Sequence, residues 1–80
     1  MDERLKNLRK EKHLTQLQIQ LLTGIDQSDY SKIETGKRYY TLEQCKQIAL
    51  VLNTSMDYLV GLTDESKPYP RRSPDKSENK

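Results

Sequence analysis

Gln27, Ser28, Asp29, Ser31 and Lys32 crowd the stretch TGIDQSDYSKIETG, residues 23–36. An amide, two hydroxyls, a carboxylate and an ammonium can grip a partner through hydrogen bonds and charge, provided one surface presents them together. Wound as a helix, the stretch places Ile25, Tyr30 and Ile33 on one face and the polar set elsewhere. It is too polar for a core segment and too regular for a loop. Simple solvation is the usual fate of such a face; recognition is the chemistry it can offer. Bond-making has no comparable cluster. His13 is the single histidine, Cys45 falls on an inward stripe, and no carboxylates are paired at acid–base or metal-ligand spacing. We therefore expect no catalytic residue, no metal and no cofactor.

Caps and periodicity define the elements that must hold those groups. A first helix is expected over about residues 2–12, with Leu5 and Leu8 inward, acidic residues in its first turn and His13 as a left-handed stop. Thr15 and Gln18 form a capping box that opens a second helix through QLQIQLL to Gly24. Asp26 caps a third helix, Asp29 stands three residues on, and Gly36 ends it. Asp29 is assigned to the cap, although it could also accept from a base. Thr41 and Gln44 repeat the capping box for a fourth helix, with Leu42, Cys45, Ile48, Ala49 and Leu52 as its inward stripe. Ser55 caps a short fifth helix, Met56–Val60, stopped by Gly61. No strand is signalled. The expected fold is all-α, a compact five-helix domain. Helices this short do not persist alone in water, so the pair joined across Gly24 and Ile25, a helix-turn-helix over about residues 16–35, needs the others as support.

Eighty residues hold one small domain, expected over 1–62, and 32% apolar residues without Phe or Trp make its core one of Leu, Ile and Tyr. Residues 63–80, with three prolines and many charges, read as a disordered polar tail. Fourteen Lys and Arg against twelve Asp and Glu give a net charge of +2, so attraction to phosphate must come from local clusters such as Lys37 and Arg38. A lone cysteine leaves no internal disulfide, and no run approaches the ~18 apolar residues of a membrane span. A cytoplasmic protein without a membrane role is expected.

The stretch from LTQ (residues 14–16) through Gly24-Ile25 and SKIETGKR (31–38) to LNTSMDYLVGL (52–62) resembles the phage-repressor-like (Cro/CI-type, XRE) helix-turn-helix family. The resemblance implies a prokaryotic or phage-encoded transcriptional regulator, most simply a repressor, binding double-stranded DNA with its third helix in the major groove. It assigns base reading to Gln27, Ser28 and Lys32, with Ser31 beside them. Gln suits adenine N6 and N7, Lys suits guanine O6 and N7, and Ser can bond to several bases. It assigns phosphate contacts to Gln16, Thr35, Lys37, Arg38 and Tyr39, leaving Tyr40 either with them or packed on the fourth helix. Gln16 can also brace a side chain of the third helix. Arg9 and Glu34 match a structural salt bridge between the first helix and the end of the third.

The chain departs from the family at two core positions. Gln20 stands where the family prefers Ala, so it must bend outward or push the second and third helices apart. Tyr30 replaces Ile or Val and needs a partner for its hydroxyl. Leu17 and Leu21 share the outer face of the second helix; either that helix is rotated to bury them, or they form an apolar patch for a partner protein. Leu50, Val51, Tyr58, Val60 and Leu62 exceed what one small core needs and are expected to form a two-fold homodimer interface. The alternative to a regulator is an antitoxin or interaction module on the same fold, holding its partner through Leu17 and Leu21 or the tail.

Overall fold

The computed structural model describes residues 3–70. Every regular element among them is a helix: α1 (Arg4–Glu11), α2 (Gln16–Thr23), α3 (Gln27–Glu34), α4 (Leu42–Val51) and α5 (Met56–Leu59). The first helix starts later than expected, at Arg4. Glu3 takes the N-cap position without a side-chain cap bond, and the first turn holds no acidic residue. The capping residues then act as their types demand. Thr15 Oγ1 accepts from the Gln18 amide at 3.1 Å while Gln18 Oε1 accepts from Thr15 N at 2.8 Å. Thr41 and Gln44 make the same reciprocal pair at 3.0 Å in both directions. Each such cap is worth about 1 kcal/mol. His13 closes α1 in the left-handed region at φ 61°, and Gly24 turns the chain after α2 at φ 81° with its N–H donating to the Gln20 carbonyl.

The core lies where α2 packs against both α3 and α4. Ile19, Tyr30, Ile48 and Leu52 are sealed from solvent, and Leu5, Leu8, Ile25, Ile33, Cys45, Ala49 and Leu59 complete the cluster. Burial of each aliphatic side chain contributes roughly 1.5–3 kcal/mol, enough in sum to order helices of single-digit length. Leu42 is 77% exposed rather than inward. It is the first residue of α4, and helical side chains lean toward the N-terminus, so it overhangs the end of the packed face. Leu17 and Leu21 are not buried by a rotated α2, since Leu21 is 74% exposed. Ile19 takes the inward position, and Leu17 and Leu21 each lie about 160° from it around the helix.

Gln20 does bend, but toward α3, where its Oε1 accepts from the Gln27 backbone N–H at 2.7 Å. Tyr30 fills the centre of the core, and its hydroxyl is buried facing Arg9 and the Glu34 carboxylate. Burial, reinforced by the Glu34 carboxylate, pushes the phenol far above its ordinary titration range.

Residues 63–70 do not leave the domain as a free tail. Arg4 Nη1 donates to the carbonyls of Tyr58 and Thr63 at 2.8 and 2.9 Å, and its guanidinium lies 4.6 Å from the centre of the Tyr58 ring. The buried Thr54 hydroxyl donates to the Ser66 carbonyl at 2.7 Å, and the Tyr69 hydroxyl donates to Asp57 Oδ2 at 2.7 Å. The ordered chain thus continues beyond residue 62 as a strap over α4 and α5. The remainder of the expected tail, residues 71–80, lies outside the described residues.

Candidate nucleic-acid interface

The helix that carries the polar face is anchored at both ends. At its start, Asp26 Oδ2 accepts from the Ser28 backbone N–H at 3.0 Å and from the Ser28 hydroxyl at 2.5 Å. The Ser28 hydroxyl holds the Asp26 carboxyl below its ordinary range. At its end, Arg9 grips Glu34 twice, Nε to Oε2 at 2.7 Å and Nη2 to Oε1 at 3.0 Å. Arg9 Nη1 donates in addition to the Leu14 carbonyl at 2.8 Å. Gln16 Nε2 donates to Glu34 Oε1 at 2.9 Å, so three helices meet on one carboxylate. Burial alone would push the Glu34 carboxyl up, but hydrogen bonds from Arg9, Gln16 and Tyr30 and the Arg9 charge outweigh it and hold the group below its usual range. The Glu34 hydrogen bond in turn raises the Arg9 guanidinium.

Between these anchors, Gln27, Ser28 and Lys32 are exposed and Ser31 is half-buried. Lys32 extends free of any salt bridge among the described residues. The Ser28 O–H donates its hydrogen bond to the Asp26 carboxylate, so toward solvent the hydroxyl offers lone pairs. Asp29 departs from the capping role assigned to it: its Oδ1 accepts from Arg38 Nη1 at 2.8 Å, tying α3 to the turn that follows. Thr35, Lys37, Arg38 and Tyr39 are all exposed beyond the end of α3. The Thr35 hydroxyl donates to the Ser31 carbonyl at 3.0 Å, and Tyr39 meets Tyr40 edge to face at 5.5 Å between ring centres. Tyr40 is half-buried and packs on the core cluster.

Sequence reasoning passed over Lys6 and Lys10. Together with Glu3, Arg9, Gln16, Glu34 and Thr35 they line a recess of about 430 Å³ beside the start of α2. The signal was present as two lysines four apart on α1, flanking the Arg9 already assigned. The residues expected at a dimer interface divide. Leu50 and Leu62 are exposed, whereas Val51, Tyr58 and Val60 are half-buried against the core.

Two short helices meeting across a left-handed glycine, the second presenting a polar face held by the first, define a helix-turn-helix domain. The Helix-turn-helix family model matches residues 5–59, and the chain belongs to the phage-repressor-like (Cro/CI-type, XRE) branch of that family. It is similar to a Bacillus subtilis protein named Uncharacterized HTH-type transcriptional regulator YobD, 34% identical over 70 residues, which cover 88% of this chain and 62% of that protein. It is also similar to the Cryptic phage CTXphi transcriptional repressor RstR of Vibrio cholerae, 40% identical over 67 residues, 81% of this chain and 60% of that one. The chain spans about three-fifths of the length of these curated relatives. No solved structure matches it at a comparable level. Among the described residues no helix is long and apolar enough to cross a membrane.

Proposed function

We propose that the protein is a sequence-specific, double-stranded DNA-binding transcriptional regulator of prokaryotic or phage origin, acting as a repressor. The observation that carries this reading is the anchored, outward face of α3. Gln27, Ser28 and Lys32 project from a helix whose two ends are fixed by Asp26 and Glu34, so their donors and acceptors keep a constant spacing. α3 enters the major groove, Gln27 and Lys32 read base edges, and Ser28 and Ser31 add shorter contacts. Gln16, Thr35, Lys37, Arg38 and Tyr39 grip the flanking phosphates, and Lys6 and Lys10 extend that grip along α1. The names of the two relatives, a transcriptional regulator and a transcriptional repressor, support the same assignment.

Two copies pair about a two-fold axis through the exposed Leu50 and Leu62, with Val51, Tyr58 and Val60 at the margin. This sets two α3 helices about 34 Å apart on a palindromic operator. Selection of bound duplexes from a random library should return a gapped palindrome, and light scattering at micromolar concentration should give a dimer. A strict monomer that occupies single half-sites would contradict the pairing. Lys37→Ala should weaken selected and random duplexes alike and lower the slope of log affinity against log salt by about 1. Loss confined to the selected site would remove Lys37 from the phosphate contacts.

A second reading has one observation in its favour. Leu17, Leu21 and Leu22 are all exposed on α2, an apolar surface for which DNA binding has no use. An antitoxin or other interaction module would use it to hold a protein partner. Recovery of a stoichiometric partner that is released by Leu21→Lys, from a chain that selects no duplex, would favour that reading.

A further inference from the structure

Gln20 stands in the inter-helix seam where a small residue would suffice, and the chain around it is unusually well tied. Its backbone carbonyl accepts from the Gly24 N–H at 2.8 Å, which closes α2. Its side-chain Oε1 accepts from the Gln27 N–H at 2.7 Å, which opens α3. Between the two, the Thr23 hydroxyl donates to the Ile19 carbonyl at 2.7 Å and accepts from the Ile25 N–H at 3.1 Å. The first amides of a helix have no partner within it. In α3 the first is taken by Gln20 from the neighbouring helix and the second by Asp26.

We propose that Gln20 is a positioning residue for sequence reading, a brace that fixes the N-terminal end of α3 against α2. The inference rests on the DNA-binding reading above. The bond falls on the backbone of Gln27, the residue whose side chain is assigned to a base edge. Holding that N–H fixes where the Gln27 amide starts from, and hence which base edge it reaches. The orientation of the Gln20 amide is set by chemistry: a backbone N–H is a donor, so only Oε1 can face it. The Nε2 donors are left pointing away from that amide.

The test compares the full-length protein with Gln20→Ala and Gln20→Glu. It reads Gln27 amide exchange by NMR, and affinity for a selected duplex and for random duplex. In Gln20→Ala the amide should exchange about tenfold faster. The ratio of selected to random affinity should fall about fivefold, with random affinity within about twofold of the parent. Gln20→Glu keeps an acceptor for the amide but adds a negative charge beside the start of α3. Its amide should stay protected and its ratio unchanged, while both affinities drop together. An unchanged ratio in Gln20→Ala, or a ratio lost in Gln20→Glu despite a protected amide, would overturn the proposal. A parent protein that selects no duplex would instead defeat the DNA-binding reading, and the exchange data would still decide whether the brace exists.

Discussion

Replacing Glu34 by alanine should destabilise the domain by about 3–5 kcal/mol, since it strands a buried charged partner. The carboxylate is only 3% exposed and the Arg9 side chain 10%. Removing Glu34 leaves a guanidinium buried with its Nε and Nη2 donors unmatched, and it also frees the Gln16 amide. For a domain of this size about 1 kcal/mol moves Tm by about 4–8 °C, so the variant should melt more than ~12 °C lower. Gln16→Ala, which removes one contact to the same carboxylate, should cost only about 1 kcal/mol. Replacing Arg9 and Glu34 together by Met and Leu should recover most of the loss, since an apolar pair leaves no charge stranded. Thermal or urea unfolding of the three variants checks this; equal losses for Gln16→Ala and Glu34→Ala would refute it.

The same carboxylate gives the fold a pH dependence with a definite sign. Folding holds the Glu34 carboxyl below its ordinary range. Its contribution is therefore fully present above the unfolded value of about 4.3 and is lost as pH falls through the folded one. Stability should decline on the acid side of that value in the parent, and Glu34→Gln should flatten the decline. Because the carboxylate also joins α1, α2 and α3, acid should loosen the presentation of α3 before the α4–α5 half of the core.

The second large effect concerns reading rather than folding. Gln27→Ala should cost about 1–3 kcal/mol on the selected duplex, roughly 5- to 150-fold in affinity, with little change on random duplex. Gln27 is fully outside the core, so melting should hardly move. Lys32→Ala should lose affinity on both duplexes through its charge and more on the selected one through its base contact. Filter binding or fluorescence anisotropy at two salt concentrations separates the two terms. Equal losses for Gln27→Ala on selected and random DNA would take Gln27 off the base edge.

The helices were legible because their signals are local. Thr15 with Gln18, Thr41 with Gln44, and Ser55 each cap as their sequence spacing requires, and His13 and Gly36 adopt the left-handed backbone that suits the end of a helix. What escaped depends on which neighbour is within reach. Leu42 fits the inward stripe of α4 by period, yet the stripe extends past the end of the packed surface. Asp29 has the right spacing for a cap, but Arg38 returns on the following turn and offers a full charge instead of a partial one. Periodicity cannot register a partner nine positions away. The strap at Ser66 and Tyr69 was hidden by its composition: prolines and charges read as unstructured, whereas the order comes from Thr54 and Asp57 supplying partners from the domain. Gln20 was marked as a misfit by size alone, and its hydrogen bond to Gln27 turns the misfit into a link.

NMR mapping with the selected duplex would test the assignment of α3 most directly. On titration, the largest shifts should fall on Gln16, Gln27, Ser31, Lys32, Thr35 and Lys37, with the Glu34 bridge and the core amides of α4 little changed. Shifts centred instead on Leu21 and Leu22, or on the α4–α5 strap, with Gln27 and Lys32 unmoved, would contradict it.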